Sequence, residues 1–148
     1  MKKLFSLFCF VVVLGSVLGQ NFVPTAGVYY NITQTSSNLV VGPTLSGGFS
    51  TTQPSVVTLT NQRSQAFQFV PVEGKADTYY LLNNEGMYLN MLSGVDWNTW
   101  TTIFEAAPNA LYSEWVISGA DADNIRLMLN QNSKYLASDG ITSGSSLY

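Results

Sequence analysis

The chain has 148 residues, enough for one domain with one sizeable core, and carries six basic and nine acidic side chains. A net charge of −3 argues against a nucleic-acid backbone or an anionic membrane as partner. There is no histidine and Cys9 is the sole cysteine, so the usual neutral-pH base is missing and the one thiol sits near the start of the chain.

Residues 1–19 read as an export leader. Lys2 and Lys3 precede an apolar run from Leu4 to Leu14, followed by small residues and Val17-Leu18-Gly19. A basic start, a short apolar centre and a small residue before Gln20 mark a secretory signal peptide, with cleavage expected after Gly19. The run falls short of the roughly 20 apolar residues a membrane span needs. The expected product is therefore secreted or periplasmic, without a membrane anchor. Cys9 would leave with the leader, and its neighbour Phe8 makes it a poor lipidation site. Losing Lys2 and Lys3 leaves four basic residues against nine acidic ones, a net charge near −5. The mature chain would have no disulfide and would depend on packing alone.

Residues 20–27 form a lead-in containing Pro24, and the domain is expected over 28–148. In Val28–Ile32, Val28, Tyr30 and Ile32 alternate with Tyr29 and Asn31, the period of two of a half-buried strand. Gln34–Asn38 is a turn and Leu39-Val40 begins a return strand. Gly42–Pro54, rich in Gly, Ser and Thr, reads as a surface loop. Strands are expected at Val56–Leu59 and Phe67–Val72, with a turn at Gly74–Asp77. A second set follows: Thr78–Leu82, a turn at Asn83–Gly86, Tyr88-Leu89, a connection at Leu92–Trp100, then strands at Thr101–Glu105 and Trp115–Ser118. Gly119–Asn124 leads to a third set, Ile125–Leu129, a turn at Asn130–Ser133, and Tyr135-Leu136. No segment has helical periodicity.

The three sets echo one another. Thr78–Asn90, TYYLLNNEGMYLN, lies without a gap on Ile125–Ala137, IRLMLNQNSKYLA. Moved back by a similar interval it meets Val28–Val41, with one extra residue in the turn. The closing strands repeat too, Phe67 falling on Trp115. A regular recurrence of this length signals a repeat architecture, with units at 28–77, 78–124 and 125–148. The overlay predicts Thr78, Tyr80 and Leu82 inward with Tyr79 and Leu81 outward, and Ile125, Leu127 and Leu129 inward with Arg126 and Met128 outward.

Four short strands per unit, the Tyr-Tyr strand starts, the GMYL and SKYL return strands and the Gln65-Ala66-Phe67 closing resemble the β-trefoil, and within it the ricin-B-type lectin-like domains. The resemblance implies an all-β trefoil of three pseudo-repeats, the last lacking its final two strands. It also implies a carbohydrate-binding role. Because closure of such a barrel removes its edge strands, the chain is expected either to be part of a longer reading frame or to be completed by another segment, the alternative being a looser, open variant that tolerates the gap. In the family each sugar site uses an Asp after the return-strand Leu, where this chain has Val41, Asn90 and Ala137. Asn90 alone keeps a side chain suited to a sugar hydroxyl, with Phe104 near the aromatic position, so the second unit is the expected site.

The residues themselves point to Asp96-Trp97-Asn98-Thr99-Trp100. Trp97 and Trp100 offer ring faces for stacking, and Asp96 and Asn98 offer polar contacts; the competing structural role is a Trp plugging the barrel end. The candidate ligand-binding set is Asn90, Asp96, Trp97, Asn98, Trp100 and Phe104. Asp96 with Glu105 is the one carboxylate pair suited in kind to glycoside hydrolysis, but nothing in the spacing sets them across a cleft, and no catalytic role is expected. Asp121-Ala122-Asp123-Asn124 alternates oxygen ligands without the Gly and Glu of a calcium loop, so no metal and no cofactor are expected. Asn31-Ile32-Thr33 fits an N-glycosylation acceptor. The other readings are a trefoil protease inhibitor acting through Gly42–Pro54, and an adhesion or accessory module of a larger secreted protein.

Overall fold

The computed structural model describes residues 22–46, 49–92, 101–109, 112–119, 125–131, 133, 135–136 and 145–146. The expected leader, with Cys9, lies outside the described residues, as do Asp121–Asn124 and Ala137. Among those described the strands are β1 (Tyr29–Tyr30), β2 (Leu39–Ser46), β3 (Phe49–Thr58), β4 (Phe67–Pro71), β5 (Thr78–Asn83), β6 (Tyr88–Leu92), β7 (Thr101–Glu105), β8 (Trp115–Ser118), β9 (Arg126–Leu129) and β10 (Ser145–Ser146), with one turn of 3-10 helix at Arg63–Gln65.

The first unit comprises β1–β4 and the second β5–β8; β9 opens the third. A wall of antiparallel strands runs β1-β4-β5, continues from β5 to β8, and from β8 to β9. Each complete unit adds a hairpin, β2–β3 or β6–β7. The short β10 pairs with β3 of the first unit, Ser145 opposite Val56. Related positions fill the interior from each unit: Ile32, Leu81 and Leu127 are all buried, as are Val41 and Leu89 on the return strands. The N–H groups of Val41 and Leu136 donate to the carbonyls of Ile32 and Leu127, so the first and third units share one strand-to-return-strand register. Burying a side chain of this size contributes about 1.5–3 kcal/mol.

One face assignment is reversed. Tyr79 and Leu81 lie in the core, whereas Tyr80 and Leu82 are half-buried on the opposite face. Phe67 of β4 pairs with Asn83, but its counterpart Trp115 in β8 pairs with Leu129. The interval from Phe67 to Trp115 is therefore two positions longer than that from Asn83 to Leu129. The gapless overlay of Thr78 on Ile125 falls midway between them, and a slip of one residue exchanges the two faces of a strand. In the third unit Leu127 and Leu129 are buried and Arg126 exposed, as expected. At the start of the first unit Val28 is 40% exposed, because it precedes the paired residues of β1.

Within Gly42–Pro54, expected as a loop, the described residues 42–46 and 49–54 are strand. They belong to the paired strands β2 and β3, which run from Leu39↔Thr58 out to Ser46↔Phe49 with a register shift between Pro43 and Leu45. Pro43 and Pro54 face one another beside that irregularity, the kind of position at which a sheet tolerates proline. The β-branched pairs Val40-Val41, Thr51-Thr52 and Val56-Val57 supply the strand preference that the glycines and serines conceal.

The lead-in is part of the packed body. Phe22 donates its N–H to the Gly119 carbonyl at 2.8 Å, beyond the end of β8, and its ring meets Tyr30 edge-on at 5.7 Å. Tyr30 then meets Phe69, and Phe69 meets Tyr79, in the same edge-on manner. Thr25 donates its N–H to the Tyr30 hydroxyl at 2.9 Å. This chain of rings ties the start of the first unit to the start of the second.

Candidate functional site

The β6–β7 hairpin frames the candidate site. Its strands pair without interruption from Tyr88↔Glu105 to Leu92↔Thr101. Leu89, Met91 and Phe104 turn into the core, and Phe104 stacks on Phe67 at 6.0 Å. Asn90 alternates to the other face, yet it is fully buried because the chain after β7 folds over it. Its amide donates to Glu105 Oε2 and, at 3.0 Å, to the Ala107 carbonyl. Its Oδ1 accepts from the Ser113 hydroxyl at 2.6 Å, and Ser113 Oγ accepts from the Asn109 N–H. A buried amide must find such partners or cost about 1–3 kcal/mol.

The first unit meets the same demand with one side chain. At the position corresponding to Asn90 stands Gly42, and at that of Ser113 stands Gln65. Gln65 Nε2 donates to the Thr58 carbonyl at 2.8 Å and Oε1 accepts from the Thr60 N–H at 2.9 Å. The backbone groups held correspond in the two units, Thr58 to Ala107 and Thr60 to Asn109, by one and the same interval. A Cβ on Gly42 would come within 2.9 Å of Val57 Cγ2 and 3.1 Å of Gln65 Cγ, so Gln65 fills the space that Asn90 fills in the second unit. In the second unit the other N–H of the Asn90 amide goes to Glu105.

Asn90 and Phe104 therefore fail as a surface pair: both are buried and they project to opposite faces of the hairpin. The expected Asp position in the first unit also moves by one residue, from Val41, which is in the core, to Gly42. Asp96, Trp97, Asn98 and Trp100 lie outside the described residues. The pairing of Leu92 with Thr101 brings the two ends of their segment to neighbouring-strand distance. The sequence suggests Glu105 only as a hydrolytic partner of Asp96 and gives no hint of its bond to Asn90. The missed signal is the size exchange between Gly42 with Gln65 and Asn90 with Ser113, visible once Phe67 is aligned on Trp115.

A second polar cluster joins units. Glu114, preceding β8, accepts from Lys75 Nζ at 2.6 and 2.8 Å and from Asn130 Nδ2 at 2.8 Å. These hydrogen bonds, Lys75 first and then Asn130, hold its carboxyl below the ordinary glutamate range. On β5, burial and then the charge of Asp77 push the Tyr79 phenol up. Among the described residues no three His, Cys, Asp or Glu side chains converge as a metal-binding group.

No family model matches the chain, and no curated protein matches it in sequence. Among solved structures it is similar to the crystal structure of a designed 3-fold symmetric protein, ThreeFoil, with a TM-score of 0.68 and 14% identity over 80% of this chain and 86% of that one. At that identity the likeness is one of fold. Taken with the repeated strands, the capping hairpins and the shared interior positions, it makes this chain a β-trefoil.

Proposed function

We propose that the protein is a secreted, lectin-like β-trefoil module that binds carbohydrate and has no catalysis of its own. The observation that carries the reading is the β6–β7 hairpin. Its continuous pairing to Leu92↔Thr101 gives the segment Asp96-Trp97-Asn98-Thr99-Trp100 a rigid base. Two ring faces, a carboxylate and an amide on such a base suit an uncharged polyol, and loops on rigid scaffolds commonly carry binding residues. The scarcity of charge, 10% of residues, against 13% aromatic residues supports a neutral ligand.

The test is an array of neutral glycans probed with the protein beginning at Gln20. Binding is expected, and Trp97→Ala is expected to abolish binding of the shortest glycans. Unchanged binding by that variant would remove the loop from the site. A second reading, a protein-binding or protease-inhibiting trefoil, is favoured by the length of the β2–β3 hairpin, paired out to Ser46↔Phe49. Titration against a panel of proteases separates the two.

A further inference from the structure

We infer that the outer face of the β1-β4-β5-β6-β7 sheet path carries an elongated glycan-binding row, Tyr29–Gln68–Leu82–Tyr88–Glu105, separate from the Trp97 loop. The strand registers define it: Tyr29 pairs with Gln68, Gln68 with Leu82, Leu82 with Tyr88, and Tyr88 with Glu105. Residues paired across a sheet share a face, and this face is opposite that of Phe67, Leu81 and Leu89. The row crosses five strands, four spacings of about 4.8 Å, or about 19 Å measured along the curved sheet.

Its chemistry is that of a platform for sugar. Tyr29 is 45% exposed, and Gln68, Leu82, Tyr88 and Glu105 are half-buried, so each keeps some surface toward solvent. Tyr80 supports Tyr88 edge-on at 6.2 Å and fixes its ring. Among the described residues, none of the hydrogen bonds that hold the fold uses the side chain of Tyr29, Gln68 or Tyr88. Two phenols and an amide thus remain for ligand hydroxyls. At the far end Glu105 is held through one oxygen by the buried Asn90 amide, leaving the other to accept.

The occupant is a linear, neutral oligosaccharide. The row carries one carboxylate and no cation, which complements hydroxyl donors and disfavours sulfated, phosphorylated or uronic chains. Ring faces at Tyr29 and Tyr88, separated by amide and aliphatic groups, match the alternating apolar faces and hydroxyl rims of successive sugars. A face crossing five strands engages several sugars at once, whereas a single loop engages one or two.

This inference rests on the carbohydrate-binding reading, and chain length tells the two apart. Cello-oligosaccharides and chito-oligosaccharides of one to six sugars are titrated calorimetrically against the protein from Gln20, with a heparin hexasaccharide as the anionic probe. For the neutral series that binds, affinity is expected to rise with length to about four sugars and then level off. Tyr29→Ala and Tyr88→Ala should each weaken the longer chains about three- to tenfold and leave the shortest binder nearly unaffected. Thermal unfolding confirms that each variant is folded, and Tyr29→Phe, which keeps the ring, should retain most of the affinity. Binding that ignores length, or that resists both tyrosine variants while Trp97→Ala abolishes it, overturns the row and spares the loop. Tighter binding of heparin overturns the row as well. No binding by either neutral series or the glycan array overturns both.

Discussion

The first and second units satisfy the same two backbone groups in opposite ways. In the first, a long amide on the closing segment, Gln65, reaches over a glycine on the return strand. In the second, a shorter amide on the return strand, Asn90, reaches toward a serine on the closing segment. The volume has moved from one strand to the other while the carbonyl and the N–H being held have stayed in place. The pair is therefore the unit of specification, and either residue read alone is misleading. The exchange also has an outward consequence, since the second N–H of the Asn90 amide holds the carboxylate of Glu105.

The largest expected effect breaks the comparison at its hub. Trp115 corresponds to Phe67; both are fully buried, but Trp115 also donates to the Leu89 carbonyl at 2.9 Å. Trp115→Ala should cost about 3–5 kcal/mol in chemical denaturation. Trp115→Phe, which imports the first-unit residue, should cost much less.

Next in size is the exchange itself. Gly42→Asn forces a side chain against Val57 and Gln65 and should destabilise by about 1–3 kcal/mol. Adding Gln65→Ser, so that the first unit copies the second, should recover a good part of that loss. A double-mutant cycle measures the coupling, and simple additivity would show that the two sites do not share their space.

The smallest effect concerns Glu114, where the first unit has Ala66. Its carboxyl is held below the ordinary value by Lys75 and Asn130 in the folded protein. The stability this provides is present above the unfolded glutamate value and is lost as pH falls through the depressed folded value. Glu114→Gln should cost about 1 kcal/mol at neutral pH, moderated because Lys75 is half-exposed. The difference from the parent should shrink as denaturation curves are taken into acid.

Much of the fold is legible in the sequence because repetition is a strong signal. Thr101–Glu105 and Trp115–Ser118 have the bounds that the pattern predicts. Strand faces are harder. Tyr79 and Tyr80 are the same residue type, so β5 gives no internal clue to which one is buried, and the overlay chooses the wrong one. The β2–β3 hairpin is hidden by Gly and Pro, which report turn preference while cross-strand pairing decides the outcome. The Asn90 network is out of reach because its partners lie 15, 17 and 23 residues away, joined only by the fold.

The unequal spacing of β4–β5 and β8–β9 carries a rule about length. Eleven residues (70–80) separate the core positions Phe69 and Leu81, and nine (118–126) separate Ile117 and Leu127. The difference is even, one residue removed from each arm. Insertions and deletions in these connections are thus filtered by parity: a pair can be absorbed while the greasy sides stay put, whereas a single added residue must be looped out or must turn one arm inside out.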